Sequence, residues 1–417
     1  LHFAFICPPF KSHIAVFETI GKELVGRGHR VSFLVNRGAE RYVSARFDVH
    51  PVEGTDQRRL DAIIARASRP SGPFGILRTV HDTALLTDAI CAHAPAHLER
   101  LEVDAVLGDQ MEPGAGLVAR HLGLPLISIA CAVPVERDEG IPLPFLPWPY
   151  DPTPKGIRRN AGGERIARLL LTEQRRLIRK WARRFELQGR FEDLQACISE
   201  LATIAQTTAA FDFPRFRANQ RLHMVGPLRS ENGKGELPYA VDPDRPFIFM
   251  SLGTLQGHRY RLFRAAAAAC RELDVQLLVA HCGGLSKHQA ESLGATWVTD
   301  FAPQRAVLER ADLCITHGGL NTVMDALEFG TPLLALPIAF DQPGVSARIV
   351  HHGLGLRLSP HMLTVARMKT AIAALLSDPG YADRAREVGR AIVAAGGLSK
   401  AIEVIETAVL RGNNGES

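Results

Sequence analysis

The sequence predicts an α/β protein: two doubly wound, Rossmann-like domains of similar size facing each other across a cleft. Three observations predict it. Short apolar runs alternate with amphipathic helical stretches along most of the 417 residues, the rhythm of parallel sheets covered on both faces. The alternation pauses at "SENGKGELPYAVDPDRP", polar and rich in Gly and Pro, just after Arg229, and then restarts. The length and the 46% hydrophobic content also supply more core than one ordinary domain needs. The expected division is residues 1–229, a linker at 230–245 and residues 246–417, with the last helix packing back on the first domain.

The elements follow in order. "HFAFI" is a short apolar strand and "CPPFKSH" a loop. "IAVFETIGKELVGRG" is a helix with Ile14, Phe17, Ile20, Leu24 and Val25 on one side, and "HRVSFLVN" a second strand. Together they make a β-α-β unit. "VDAVLGD", "GAGLVARHLG" and "LPLISIACA" repeat the strand, helix, strand order. The second half alternates again through "FIFMSLGT", "YRLFRAAAAACREL", "VQLLVAHC", "ATWVTDF", "LCITHGG" and "PLLALPI".

Composition narrows the function classes. No apolar run reaches the roughly 18 to 20 residues that a spanning helix requires, and residues 1–10 lack the regions of a secretory signal. A soluble, cytoplasmic protein is expected. The seven cysteines, Cys7, Cys91, Cys131, Cys197, Cys270, Cys282 and Cys314, include no C-x-x-C pair, so they read as small core residues rather than a zinc or disulfide frame. The net charge of +5 is local, because Lys155 to Arg190 carries 12 Lys or Arg against 3 Glu. With no aromatic interleaving or binding motif, that does not describe a nucleic-acid binder. Within the segment, "ERIARLLLTEQRRLIRKWARRF" puts Ile166, Leu170, Leu177, Trp181 and Phe185 along one helical side. It reads either as a domain helix with a solvated basic face or as a surface resting on anionic lipid. "GIPLPFLPWPYDP" (140–152) is either a plain surface loop or a wall of an acceptor channel.

Ligands of doubly wound sheets sit at the carboxyl ends of the strands, which selects His13, Asp109, Thr254 and His317. "LCITHGGLNTVMDALEFG" reads as strand, tight turn and helix. A helix start at that edge offers free N–H groups and a positive dipole end, a natural seat for a phosphate. Taken singly, each residue has a plainer reading: His13 as a helix-end or surface residue, Asp109 as a helix cap, His317 in an ordinary turn, Asp325 on a solvated face. His281, His351 and His352 have no partner at metal-ligand spacing and read as structural.

Residues 297–342 resemble the donor-binding signature of the UDP-dependent glycosyltransferases of the GT-B fold. "GDQMEPGAGLVA", "SLGTLQGHRY", "ITHGGLNTVMDA" and "TPLLALPIAFDQPGVSARIV" are similar, more specifically, to the bacterial zeaxanthin glucosyltransferases of carotenoid biosynthesis. The resemblance implies a role for each matching residue. Phe301 stands where the family usually has Trp, stacking on uracil. Gln304 lies near base and ribose. His317 donates to the diphosphate, and Gly319, Asn321 and Thr322 surround the helix start that holds it. Gly253 and Thr254 reach the diphosphate from the neighbouring loop. Asp325, where the family often has Glu, accepts the ribose hydroxyls. Asp341 and Gln342 bind the sugar hydroxyls. His13 is the base and Asp109 its partner.

The activity so implied is an inverting transfer of glucose from UDP-glucose, a co-substrate, to the hydroxyls of a xanthophyll, giving β-glucosides without metal or cofactor. Peripheral contact with the inner face of the membrane through residues 155–190 goes with it. Other readings are a transferase acting on a macrolide, sterol or flavonoid, a nucleotide-sugar epimerase, and a non-catalytic binding partner. The last would not require His13 and Asp109 together.

Overall fold

The computed structural model describes residues 1–69, 72–229 and 237–413. The N-terminal half runs β1 (His2–Ile6), α1 (Lys11–Gly26), β2 (Arg30–Asn36), β3 (Asp48–Val52), α2 (Gln57–Ala67), α3 (Gly72–Leu101) and β4 (Ala105–Asp109). It continues with α4 (Pro113–His121), β5 (Leu126–Ala130), α5 (Pro154–Leu170), α6 (Thr172–Arg184), β6 (Ala202–Ala205) and β7 (Leu222–Met224). These strands form one parallel sheet in the order β3-β2-β1-β4-β5-β6-β7.

The C-terminal half runs β8 (Phe247–Ser251), α7 (Gly253–Gln256), α8 (Tyr260–Glu272), β9 (Gln276–Ala280), α9 (Lys287–Glu291), β10 (Trp297–Thr299), α10 (Gln304–Leu308) and β11 (Leu313–Thr316). Then come α11 (Leu320–Glu328), β12 (Leu333–Ala335), α12 (Gln342–His351), β13 (Gly355–Arg357), α13 (Val365–Ser377), α14 (Pro379–Ala394) and α15 (Gly397–Asn413). Its sheet, also parallel, has the order β10-β9-β8-β11-β12-β13. Of the expected linker, residues 230–236 lie outside the described residues, and 237–245 carry neither helix nor strand.

Both sheets are buried on both faces, and the period-2 alternation of a strand divides their side chains between two cores. Phe3 and Phe5 point to one core of the first sheet, Ala4 and Ile6 to the other. Ile248 and Met250 separate in the same way from Phe247 and Phe249. The first core also takes Ala401, Ile402, Ile405 and Val409 of α15, so the chain's final helix covers the N-terminal sheet.

Three local features differ from the reading of the sequence. First, α1 begins at Lys11, which places His13 in the helix's first turn rather than in the loop. Pro8 and Pro9 end the strand, Phe10 is extended, and its carbonyl accepts the His13 and Ile14 N–H groups at 3.0 Å each, nucleating the helix early. Second, the arginine-rich stretch is two helices broken at Leu171, not one. Trp181 is buried at 3% exposure while Ile166 is 60% exposed, so the expected single apolar side does not exist. Third, β3 and α3 carry Pro51 and Pro95 internally, which obscures their periods, whereas α2 buries Leu60, Ile63 and Ala67 at helical spacing behind the Asp56 cap.

Candidate active site

The order of each sheet turns back at one place, and the candidate residues gather there. In the first sheet β1 lies between β2 and β4; His13 follows β1, and Asp109 is the last residue of β4. In the second, β8 lies between β9 and β11; Gly253 follows β8, and His317 follows β11. Helices leave to opposite faces at such a point and open a crevice between the strand ends. The two crevices face each other. Phe10 and Phe340 approach across them with ring centroids 6.3 Å apart, and the Val133 N–H donates to Asp341 Oδ2 at 3.3 Å.

His13 Nδ1 lies 2.6 Å from Asp109 Oδ2, with the His13 side chain 19% exposed and that of Asp109 fully buried. The other carboxylate oxygen, Oδ1, accepts the Met111 N–H at 2.8 Å, so the carboxylate cannot rotate away. With Nδ1 donating to it, the imidazole is left with Nε2 as its basic atom. Burial pulls the His13 pKa down, but the charge and hydrogen bond of Asp109, helped by the charge of Asp341, outweigh it and raise it above the ordinary value. Asp341 is itself raised by burial, against the opposing pull of the Val133 N–H and His13. An imidazole, the carboxylate it bonds and a second carboxylate from the other domain thus share one crevice.

Cys131 was not singled out from the sequence, yet it completes the surroundings of Asp109. Its ligand atom and those of His13 and Asp109 lie within 4.8 Å of one another. Burial, together with the charge and hydrogen bond of Asp109, pushes the Cys131 thiol well up. The Asp109 carboxylate is thus held by His13 Nδ1 and the Met111 N–H, with the Cys131 thiol alongside.

The opposite wall has a backbone reason for its glycines. Gly253 has φ +69°, and a Cβ there would stand 2.7 Å from His317 Cε1; one at Gly319 would stand 2.6 Å from the same atom. The imidazole of His317 is therefore clasped between two glycine backbones. Burial pushes its pKa down to about 4, so it is a neutral hydrogen-bonding group. Its Nδ1 is buried without a partner. Gly319 caps α11 with no side-chain hydrogen bond, and no acidic residue stands in the first turn, which leaves that turn's N–H groups to a ligand. Asn321 and Thr254 are exposed and Thr322 is buried at this edge.

Further along α11, the expected ribose ligand is already engaged. Asp325, 7% exposed, pairs through Oδ1 with Arg229 and accepts Gln304 Nε2 at 2.6 Å on Oδ2. Gln304 Oε1 in turn accepts the Thr322 hydroxyl at 3.3 Å. Arg229 also pairs with Glu328, which Arg305 reaches at 2.8 Å. Burial, and after it the charge of Arg305, lowers the Arg229 pKa to about 10 despite the attraction of Asp325. Burial raises Asp325 against the pull of Arg229, Gln304 and Arg305. No local pattern marks Arg229, which stands 96 residues from Asp325.

Gln342 is partly engaged. Its Oε1 accepts the N–H groups of Ile338 and Ala339 at 2.8 Å each, so only its amide N–H groups remain for a sugar hydroxyl. Phe301 is 67% exposed, open for stacking. Phe340 holds a left-handed backbone at φ +56°, an unfavourable conformation for a bulky residue, immediately before Asp341. Of the histidines read as structural, His281 accepts the Leu285 N–H at 3.2 Å, and His352 bonds the Asp212 carbonyl at 3.1 Å.

Comparison with known proteins agrees with this geometry. Residues 267–406 match the family model described as erythromycin biosynthesis protein CIII-like, C-terminal domain. The chain is 41% identical over 420 residues to the zeaxanthin glucosyltransferase of Pantoea ananas, covering 99% of this chain and 96% of that one. It is 41% identical to the zeaxanthin glucosyltransferase of Pseudescherichia vulneris, covering 98% of each. Among solved structures, the calicheamicin glycosyltransferase CalG4 superposes with a TM-score of 0.78 at 21% identity, over 98% of both chains.

Proposed function

Since the chain belongs to the zeaxanthin glucosyltransferase family and has the GT-B fold, we propose that it moves glucose from UDP-glucose to the hydroxyl groups of zeaxanthin or a related xanthophyll. The observation that carries this reading is the His13–Asp109 pair, 2.6 Å apart, at the edge facing Asp341 and α11. His13 Nε2 takes the proton of the acceptor hydroxyl as its oxygen attacks the anomeric carbon. The bond from that carbon to the diphosphate oxygen breaks on the opposite side, and UDP leaves with the electron pair. One displacement inverts the centre, so an α-linked donor yields a β-glucoside. Asp109 stabilises the imidazolium that forms.

The charge that grows on the leaving diphosphate meets the start of α11 and the neutral imidazole of His317. These groups supply the stabilisation with no metal or cofactor in the scheme. On the sugar, Asp341 accepts hydroxyl protons and Gln342 donates from its amide. Phe301 stacks on the base, and Asp325 takes the ribose hydroxyls once Arg229 yields them.

Peripheral attachment to the inner face of the membrane from the cytoplasm is part of the same reading, because a xanthophyll dissolves in lipid. No helix among the described residues is long and apolar enough to cross a membrane. Incubation of the enzyme with UDP-glucose and a set of lipophilic alcohols, followed by chromatography, tests the proposal. Glucosides of zeaxanthin are expected. Transfer to small polar alcohols alone would overturn the acceptor, and consumption of UDP-glucose without any acceptor would point to epimerisation.

A further inference from the structure

A surface helix normally buries its large apolar residues; α5 does the reverse. It buries Gly156, Asn160, Gly163 and Ala167 and leaves Ile166 and Leu169 60% and 74% exposed. On α3, Ile76 and Leu77 are 45% and 43% exposed. The two pairs belong to one region, because α3 contacts both α5 and α6. His81 Nδ1 meets Glu173 Oε1 at 2.6 Å; His81 lies one helical turn beyond Leu77 on α3, and Glu173 lies at the start of α6, just past the break that follows Leu169 and Leu170. Arg78, Arg165, Arg168 and Arg176 are exposed among them, and none forms an ion pair among the described residues.

A second observation concerns charge. A cavity of about 600 Å³ shares Arg168 with this region and is lined also by Arg137, Arg175 and Arg190 with Glu192 and Asp193. Arg137 is answered by Asp193 at 2.7 Å and Arg175 by Glu192 at 3.1 Å. Arg168, next in sequence to Leu169, and Arg190 form no ion pair among the described residues. Exposed apolar side chains flanked by unpaired arginines suit one partner: a bilayer whose head groups carry phosphate and negative charge.

The patch is also linked to the crevice. Pro144 accepts the Gly344 N–H of α12 at 2.9 Å, next to Asp341 and Gln342. Further along the same loop, Trp148 lies against α5, where a Cβ on Gly163 would stand 2.7 Å from its ring. The loop at 140–152, expected as a surface loop or an acceptor wall, therefore runs from the donor-binding edge to the helix that carries the patch.

We propose that the face formed by α3, α5 and α6 docks on an anionic bilayer, with Ile76, Leu77, Ile166 and Leu169 among the acyl chains and Arg168 and Arg190 on lipid phosphates. This rests on the membrane attachment proposed above, and it can fail while the glucosyl transfer stands.

The test is co-sedimentation of the full chain with phosphatidylglycerol or phosphatidylcholine vesicles, without donor or acceptor. The unaltered chain should bind the anionic vesicles about tenfold or more tightly than the neutral ones, and added salt should weaken that binding. I166S/L169S and R168E/R190E should each lose about tenfold or more, while keeping turnover on acceptor dispersed in detergent, which reports that they fold. Equal binding to both vesicle types, binding indifferent to salt, or variants that turn over and bind as the unaltered chain does would overturn the proposal. Variants that bind vesicles normally but lose activity in cells would assign the face to a protein partner and overturn it equally.

Discussion

Asp212 and Arg348 meet at 2.7 Å with side chains 2% and 1% exposed, and they belong to different halves of the chain. Asp212 follows β6, and Arg348 lies on α12, the helix that begins at Gln342. Arg215 takes the other carboxylate oxygen at 3.0 Å, and the Arg348 guanidinium lies 4.4 Å from the centre of the Phe213 ring. This pair ties the helix behind the proposed sugar-binding edge to the domain that carries the proposed base.

Leaving a buried charge wholly unpaired costs about 3 to 5 kcal/mol in comparable cases, but Arg215 still answers Asp212 at 3.0 Å when Arg348 is removed, so the loss here is smaller. Arg348→Met should therefore lower stability by about 1.5 to 3 kcal/mol, the worth of hydrogen bonds to a charged group, in urea unfolding and should weaken transfer as well, because α12 begins at the proposed donor site. Burial would raise the Asp212 pKa, but Arg348 and Arg215 outweigh it and depress it below 3.8. A depressed carboxyl contributes stability that is present above its unfolded pKa and is lost as pH falls through the folded one. The loss should thus appear below about pH 4, and the Arg348→Met variant should show less of it.

His13→Ala should reduce kcat/KM by about 10² to 10⁴, with little change in the KM for UDP-glucose, because the side chain acts on the acceptor proton. In the proposed mechanism the neutral imidazole is the active form, and its pKa is raised above 6.5. The acid limb of the kcat/KM profile should therefore lie above pH 6.5. Asp109→Asn removes the main cause of that rise, so the limb should move to lower pH while the rate also falls. A limb that stays in place would separate Asp109 from the base.

Much of this arrangement is legible in the sequence, because strands and turns report themselves locally. The alternation of Phe3, Phe5, Ala4 and Ile6 between two cores is a period that any window displays, and the rule that ligands occupy strand ends leads from it to His13, Asp109 and His317. What is hidden depends on contacts remote in the chain. Arg229 on Asp325, Val133 on Asp341 and Arg348 on Asp212 join residues 96, 208 and 136 positions apart. The break at Leu171 is hidden for a related reason. Small residues on α5 and large ones on α6 do the packing, and the apolar spacing across the joint does not reveal which side faces inward.

Asp325→Ala removes the proposed ribose acceptor and leaves Arg229 and Arg305 with Glu328 as their shared carboxylate. The KM for UDP-glucose should rise about tenfold or more, the cost of a lost hydrogen bond to a charged group, while the KM for the acceptor stays within about twofold. Equal changes in both constants would place Asp325 in the scaffold rather than in the donor site.

Glu112 offers the last prediction, and it concerns stability. It caps α4, accepting the Gly114 N–H at 2.9 Å and the Thr87 hydroxyl at 2.8 Å on the same oxygen, and burial raises its pKa from 4.5 to about 7 against those hydrogen bonds. A raised carboxyl pKa means that the folded chain keeps a proton the unfolded chain releases. Stability should therefore decline as pH rises from about 4.5 to 7, by an amount on the order of 3 kcal/mol at 1.36 kcal/mol per unit. In Glu112→Gln the amide oxygen can accept both bonds and nothing titrates. The variant should match the original chain near pH 4.5 and gain on it steadily towards neutrality in urea unfolding followed at several pH values. A constant difference between the two would mean that the Glu112 carboxyl is ionised in the folded protein throughout that range.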